Sequence, residues 1–208
     1  MSSLHTVVKA IFECFYQLGL VAILMGSGNW VRVLVTSSHR PSQRIRSFMK
    51  DLVGVSVFLK KVNRGKATFD DLAREMAGSG IRYLIIVNSY RGNPGSMSIY
   101  RLSELDNRLV KTAKIWIKGV RLSRESGNSE CRFYRMAVDP SRCFKDPCFR
   151  LADILSEIFM ARIDMGDRNN IDRIVVMDRG KQIYVKFIKG DGSECGPFIK
   201  ISRVEFYS

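Results

Sequence analysis

Between Trp30 and Leu102, short β-branched runs alternate with stretches of helical period, which excludes an all-helical or an all-β chain. "WVRVLVT" (30–36) reads as a buried strand. Pro41 then suits the first turn of a helix. Ile45, Phe48, Met49 and Leu52 follow at i, i+3, i+4 and i+7, so they form one apolar face. Val55 to Leu59 is a second apolar run. Thr68 with Asp71 three residues later marks a helix start of the capping-box kind. That helix turns Phe69, Leu72, Ala73 and Met76 inward and stops at Gly78 or Gly80. "IRYLIIV" (81–87) is another buried strand, "NSYRGNPGS" (88–96) a turn by composition, and Ser96–Leu102 an alternating strand.

The rest of the chain is comparable. Ile115, Ile117 and Val120 alternate with Trp116 and Lys118, and 132–138 is a candidate to pair with that strand. Residues 146–161 suit a long helix with Phe149, Ala152, Leu155, Ile158 and Phe159 on one face. Three strands follow (173–177, 182–188 and 197–204), with a hairpin turn at "DRGK" (178–181). No low-complexity linker divides the chain. The expectation is therefore an α/β fold of mixed sheets flanked by helices, one compact unit over 30–207 with similar halves at 30–108 and 109–207. Residues 1–29 fit either a helix packed on the domain or an extension upstream of a start at Met25. The second is favoured, because the patterned region begins at Trp30.

Charge speaks to partners. Lys and Arg number 34 against 20 Asp and Glu, a net +14 over 208 residues. The surplus is clustered. Residues 29–66 hold nine basic residues against one acidic, and 108–145 hold ten against three. Two basic runs at matching places predict one extended exposed surface, suited to a long polyanion. The strand end at Thr36, Ser37 and Ser38, followed by His39, Arg40, Pro41 and Ser42, offers hydroxyls, a guanidinium and a helix N-terminus to phosphate oxygens. The predicted RNA contacts are Ser37, Ser38, Arg40, Ser42, Arg44, Arg46, Lys50, Lys60, Lys61, Arg64 and Lys66.

Enzyme chemistry finds little to use. "NRGKAT" (63–68) fails as a phosphate-binding Walker loop, because Lys60 stands where Gly is required and Ala67 where Ser or Thr would hold magnesium. His5 and His39 are the only histidines. The five cysteines are Cys14, Cys131, Cys143, Cys148 and Cys195, irregularly spaced and without a CxxC. They are expected to be reduced thiols, with one internal disulfide fitting only a hyperthermophilic source. The N-terminal apolar run, broken by Glu13 and Gln17, is too short to span a bilayer. No metal, cofactor, membrane or small-molecule substrate is expected.

"RVLVTSSHRPSQRIRSFMKDL" (32–52) resembles the opening motif of the Brix domain family. There a strand ends in Thr-(Thr/Ser)-Ser, and a basic residue, Pro-Ser and a basic amphipathic helix follow. "RGKATFDDLAREMAGSGIRYLIIVNSYRGNPGSMSIYRL" (64–102) is similar to the continuing pattern, and "GSECGPFIKI" (192–201) to the closing Glu-x-Gly-Pro motif. The motif positions are Thr36, Ser37, Ser38, Arg40, Pro41 and Ser42, and then Glu194, Gly196 and Pro197. Two departures stand out: "YRLSELDNRL" (100–109) replaces a His-Leu-Pro and Gly-Pro-Thr segment, and Phe198 stands where the family places Arg.

The resemblance implies two halves, each like the anticodon-binding domain of class II tRNA synthetases. It also implies a non-catalytic role in ribosome biogenesis with ribosomal RNA or pre-rRNA as partner, beside ribosomal or assembly proteins. A chain without long charged tails fits the compact archaeal type, which is cytoplasmic; a eukaryotic one would be nucleolar. The alternative is a protein-interaction scaffold with an apolar surface around Met97 and Ile99. A nucleotide-dependent enzyme is a third reading, opposed by the failed Walker loop.

Overall fold

The computed structural model describes residues 31–38, 40–127, 130–165 and 170–207. His39 and the segment 1–29 lie outside them. The elements in order are β1 (Val33–Ser37), α1 (Gln43–Gly54), β2 (Leu59–Lys61), α2 (Phe69–Ser79), β3 (Tyr83–Tyr90), β4 (Asn93–Leu102), β5 (Leu109–Arg121), α3 (Ser123–Ser126), β6 (Ala137–Arg142), α4 (Asp146–Ile158), β7 (Arg162–Ile163), β8 (Arg173–Arg179), β9 (Gln182–Ile188) and β10 (Glu194–Phe206).

The strands form one ten-stranded sheet in the order β2-β1-β3-β4-β5-β10-β9-β8-β6-β7. Read from either edge, the order gives the same pairings. β1 is parallel to β2 and β3, and β3-β4-β5 are antiparallel. β6 is likewise parallel to β7 and β8, and β8-β9-β10 are antiparallel. β5 and β10 meet antiparallel in the middle. The mixed α/β fold agrees with the sequence reading, with one sheet where several were expected.

Strand alternation divides the side chains between two faces. On one face Val33, Val35, Ile85, Ile115, Val185 and Ile199 pack under α1 and α4 in a large core. α1 contributes Ile45, Phe48, Met49 and Leu52, the predicted stripe. On the other face Leu34, Leu84 and Ile86 meet Leu72 and Met76 of α2 in a small core. Thr68 caps α2 reciprocally with Asp71, and Gly80 closes it at φ 68°. Thr68 holds the Asp71 carboxyl down at about 2, through its backbone N–H and then its hydroxyl.

Several local expectations change. Ser42, not the residues before Pro41, caps α1, which starts at Gln43. The turn in 88–96 is only Arg91 and Gly92, both at positive φ, so β3 and β4 form a tight hairpin. Of the run 55–59, only Leu59 is in a named strand. The 132–138 segment does not pair with β5, which β4 and β10 flank; its end enters β6 beside β8. Phe69 and Phe149 lie at helix surfaces, and Cys148 and Leu151 take the inward places on α4.

The thiol expectation fails most clearly. Cys131 is bonded to Cys195 and Cys143 to Cys148. The sequence separation of the first pair is 64, and only the fold brings the two together, through backbone bonds between Val55 and Phe133 beside the start of β10. Among the described residues no group of three His, Cys, Asp or Glu is placed to hold a metal, and no helix is long and apolar enough to cross a membrane.

Candidate nucleic-acid interface

The residues after β1 serve as a clasp. Thr36 is fully buried and donates its hydroxyl to the Val62 carbonyl at 3.0 Å. Ser37 is buried, and the Ser38 N–H donates to the Val87 carbonyl. The Ser42 hydroxyl accepts from the Ile45 N–H at 3.2 Å and donates to Gly92 O at 2.5 Å. The Thr36 hydroxyl thus ties β1 to the segment after β2, and the Ser42 hydroxyl ties the start of α1 to the β3–β4 turn. Pro41 precedes the cap, and Arg40 takes up the turn with φ 52°.

The predicted cations separate for similar reasons. Arg44 pairs with Glu125 and donates to the Val120 carbonyl at 3.0 Å. Its guanidinium, and then the Leu122 N–H, hold the Glu125 carboxyl below the ordinary range. Asp51 accepts from the Ser123 N–H at 2.8 Å, so α1 is stapled twice to the end of β5. Arg64 donates to Ala67 O at 3.3 Å and lies 5.1 Å over the Phe69 ring. Arg46 and Lys50 are exposed on α1. Lys60 and Lys61 are neighbours on a strand, so one turns to each face. Lys66 is exposed in the loop before α2. Arg44 is thus engaged by Glu125, and strand alternation turns Lys60 and Lys61 to opposite faces, so these three do not share one open surface. Met97 and Ile99, the proposed scaffold surface, are buried in the large core.

A different strip forms on the face that α2 covers only in part. The contacts of α2 end at Tyr100, Leu102 and Leu109. Beyond them, among the described residues, no helix packs on this side of β5, β10 and β9. Here Lys114 Nζ lies 3.7 Å and the Arg203 guanidinium 5.2 Å from the Trp116 ring centre. Tyr184 and Phe198 stack with centres 5.8 Å apart at 26°. Lys200 stands 5.6 Å over Tyr184, and Arg121 stands 5.3 Å over Phe198. Two of the strip's cations are neutralised, Lys186 by Glu194 and Arg203 by Glu205. Arg121 and Lys200 make no ion pair among the described residues, whereas Lys114 stands opposite Glu205, whose carboxylate it helps to hold charged.

Two compensating bulges assemble the strip. Lys200 is opposite Gly119, Ile201 opposite Ile117, and Arg203 opposite Trp116, so Lys118 and Ser202 are each extra residues. They keep Trp116, Gly119 and Arg121 on one face. Toward β8 the strip meets a shallow cavity of about 370 Å³, where Asp139 and Glu194 supply carboxylates beside Arg142 and Arg173. That mixed lining suits a polyanion less well than the central strip does. Sequence reasoning noted the alternation of Trp116 with Ile115 and placed strands at 182–188 and 197–204. It missed the strip because strands far apart in sequence become neighbours here.

No family model matches the chain. Among curated relatives, a probable Brix domain-containing ribosomal biogenesis protein of Pyrococcus horikoshii is 28% identical over 186 residues, covering 81% of this chain and 82% of the relative. One of the same description from Aeropyrum pernix is 40% identical over 91 residues, 44% of this chain and 50% of the relative. Among solved structures, a probable ribosomal biogenesis protein from Aeropyrum pernix K1 is 30% identical, with a TM-score of 0.70 over 83% of this chain and 96% of that one. The chain belongs to the Brix domain family. Mil, an archaeal Imp4-like protein, shares the fold at 18% identity, with a TM-score of 0.61 over 84% and 99% of the two chains.

The Brix closing motif takes its meaning from packing. Glu194 binds Lys186, and Cys195 is the disulfide partner of Cys131. Gly196 has φ 62°, and a Cβ there would meet Val55 Cγ2 at 3.0 Å and Cys131 Sγ at 3.1 Å. Pro197 is buried. Phe198, which departs from the Brix pattern, is the ring that stacks on Tyr184.

Proposed function

We propose that this Brix-family chain is a non-catalytic ribosome biogenesis factor that binds pre-ribosomal RNA on the half-buried face of β5, β10 and β9 that carries this strip. The observation that carries this reading is the strip itself: Arg121 and Lys200 without an acid partner, and Lys114 sharing Glu205 with Arg203, on a sheet face without a helix among the described residues. Phosphate neutralisation supplies most sequence-independent affinity for RNA. Arg40, Arg46, Lys50 and Lys66, on other surfaces, raise the positive field and the rate of encounter. Arg44 and Ser42 hold the scaffold.

We also take the chain to be two related halves, supported by the mirrored strand order. On this reading the first half runs through β5, since a division between 108 and 109 separates β5 from the β4 strand it pairs with. Each half then contributes one of the two innermost strands, so the RNA lies across their junction and reports that both are in place. The partner named by the relatives' descriptions is the ribosome in assembly. Crosslinking the protein to RNA in its own cells and sequencing what is bound tests the reading. Enrichment of ribosomal precursor sequence supports it; bound RNA with no ribosomal enrichment overturns it.

A further inference from the structure

We infer that the RNA segment held on this strip is single-stranded, with unpaired bases stacking on Trp116 and on the Tyr184–Phe198 pair. The inference rests on the RNA-binding reading above and adds the form of RNA that the site takes.

The argument begins with what the strip contains besides charge. A surface that only attracts phosphate needs cations. This one interleaves them with three large rings on three adjacent strands: Trp116 on β5, Phe198 on β10 and Tyr184 on β9. Each ring carries a cation on or near its face, Lys114 for Trp116, Arg121 for Phe198 and Lys200 for Tyr184. All three cations are long and flexible; Arg121 and Lys200 have no acid partner among the described residues, and Lys114 only shares Glu205 with Arg203. Their contact with the rings contributes about 0.5–1 kcal/mol at such exposure. A phosphate offers each cation a stronger, charge-assisted partner. An arriving strand therefore makes an exchange: the cation swings to the backbone phosphate, and the vacated ring face receives a base.

Spacing and floor agree. Arg121, opposite Phe198, follows Trp116 by five residues on β5, one of them the Lys118 bulge, so about 13 Å at the usual rise per residue. Between them lies Gly119, where an added Cβ would have nothing within 4 Å, so the floor between the ring sites is open. A duplex keeps its bases inside and presents only backbone, so it can use the cations and not the rings. Unpaired nucleotides use both.

The sequence provides a direct probe. The chain has two tryptophans, Trp30 and Trp116, so Trp30→Phe leaves Trp116 as the sole reporter. The full chain with that change is titrated with a ten-nucleotide oligouridine and, separately, with an RNA duplex of the same length. Stacking predicts quenching of Trp116 by the oligouridine and little by the duplex. It also predicts that Trp116→Leu, or Phe198→Leu with Tyr184→Leu, weakens oligouridine binding about tenfold each. Trp116→Phe, which keeps a ring, retains most of the affinity. Duplex binding changes less than twofold in all of these variants.

Salt-dependent binding of both RNAs, with unquenched Trp116 and leucine variants that bind like the parent, overturns the stacking inference and leaves the RNA-binding reading standing. Absence of salt-dependent binding to either RNA overturns both.

Discussion

Gly196→Ala tests the closing motif as a packing device. The glycine has φ 62°, where an L-residue costs roughly 1–2 kcal/mol. Its new methyl would stand 3.0 Å from Val55 Cγ2 and 3.1 Å from Cys131 Sγ. Neither neighbour gives way easily, because Val55 is fully buried and Cys131 is fixed in a disulfide. Such overpacking costs about 1–3 kcal/mol. Against this, alanine restricts the unfolded chain and recovers about 0.4–1 kcal/mol. The net expectation is about 2–3 kcal/mol of lost stability, or roughly 1 M in the urea midpoint at an m-value of about 2–3 kcal/mol/M. Gly119→Ala is the control, since nothing lies within 4 Å of its added Cβ. Both variants are melted in urea under non-reducing conditions. A midpoint shift for Gly196→Ala no larger than that for Gly119→Ala refutes the packing account of the motif.

Replacing Cys131 and Cys195 together by Ala opens a cross-link spanning 64 residues, and chain entropy predicts a loss of roughly 4 kcal/mol as an upper value. The urea midpoint of the double variant, compared with the oxidised parent, measures it. Arg44→Ala removes a half-exposed tie between α1 and the end of β5, at no more than about 1 kcal/mol near neutral pH. Because Glu125 titrates lower in the folded chain, the pair's contribution is present above its unfolded value and is lost as pH falls through the folded one. The difference between parent and Arg44→Ala in a pH series of melts therefore shrinks below about pH 4. A difference that persists unchanged at lower pH contradicts the pairing.

Local signals determine what depends on neighbours along the chain. The stripe Ile45, Phe48, Met49 and Leu52 was legible because helical period is local, as were the Thr68–Asp71 cap and the Gly80 stop. What depended on strand order was not. The alternation at Trp116 and the strand at 182–188 were visible, yet nothing in either segment says that β10 lies between them. Only the pairing brings Phe198 against Tyr184, and only two bulges put Arg121 on the same side as Trp116. The Cys131–Cys195 disulfide was hidden for the same reason: its two cysteines meet where the approach to β6 touches the start of β10.

The cations misled in the opposite direction. Arg44, Arg46, Lys50, Lys60 and Lys61 are close in sequence, which suggested one surface. Arg44 is turned to Glu125, and strand alternation sends Lys60 and Lys61 apart. Linear charge density reports composition, whereas a binding surface requires side chains on one face. The opening Brix motif gives the same lesson. Its hydroxyls resemble phosphate donors, but Thr36 and Ser42 spend theirs on the carbonyls of Val62 and Gly92.

The salt dependence of RNA affinity tests the central claim most directly. Lys114→Ala, Arg121→Ala and Lys200→Ala are combined in the full chain, and affinity for oligouridine is measured across a salt series. If the strand lies on the face of β5, β10 and β9, the slope of log affinity against log salt falls in magnitude by about 2, three phosphate contacts at 0.7 each. Arg46→Ala with Lys50→Ala, on the helix-covered side, changes it by much less. A triple variant that keeps the parent's slope and affinity contradicts the account.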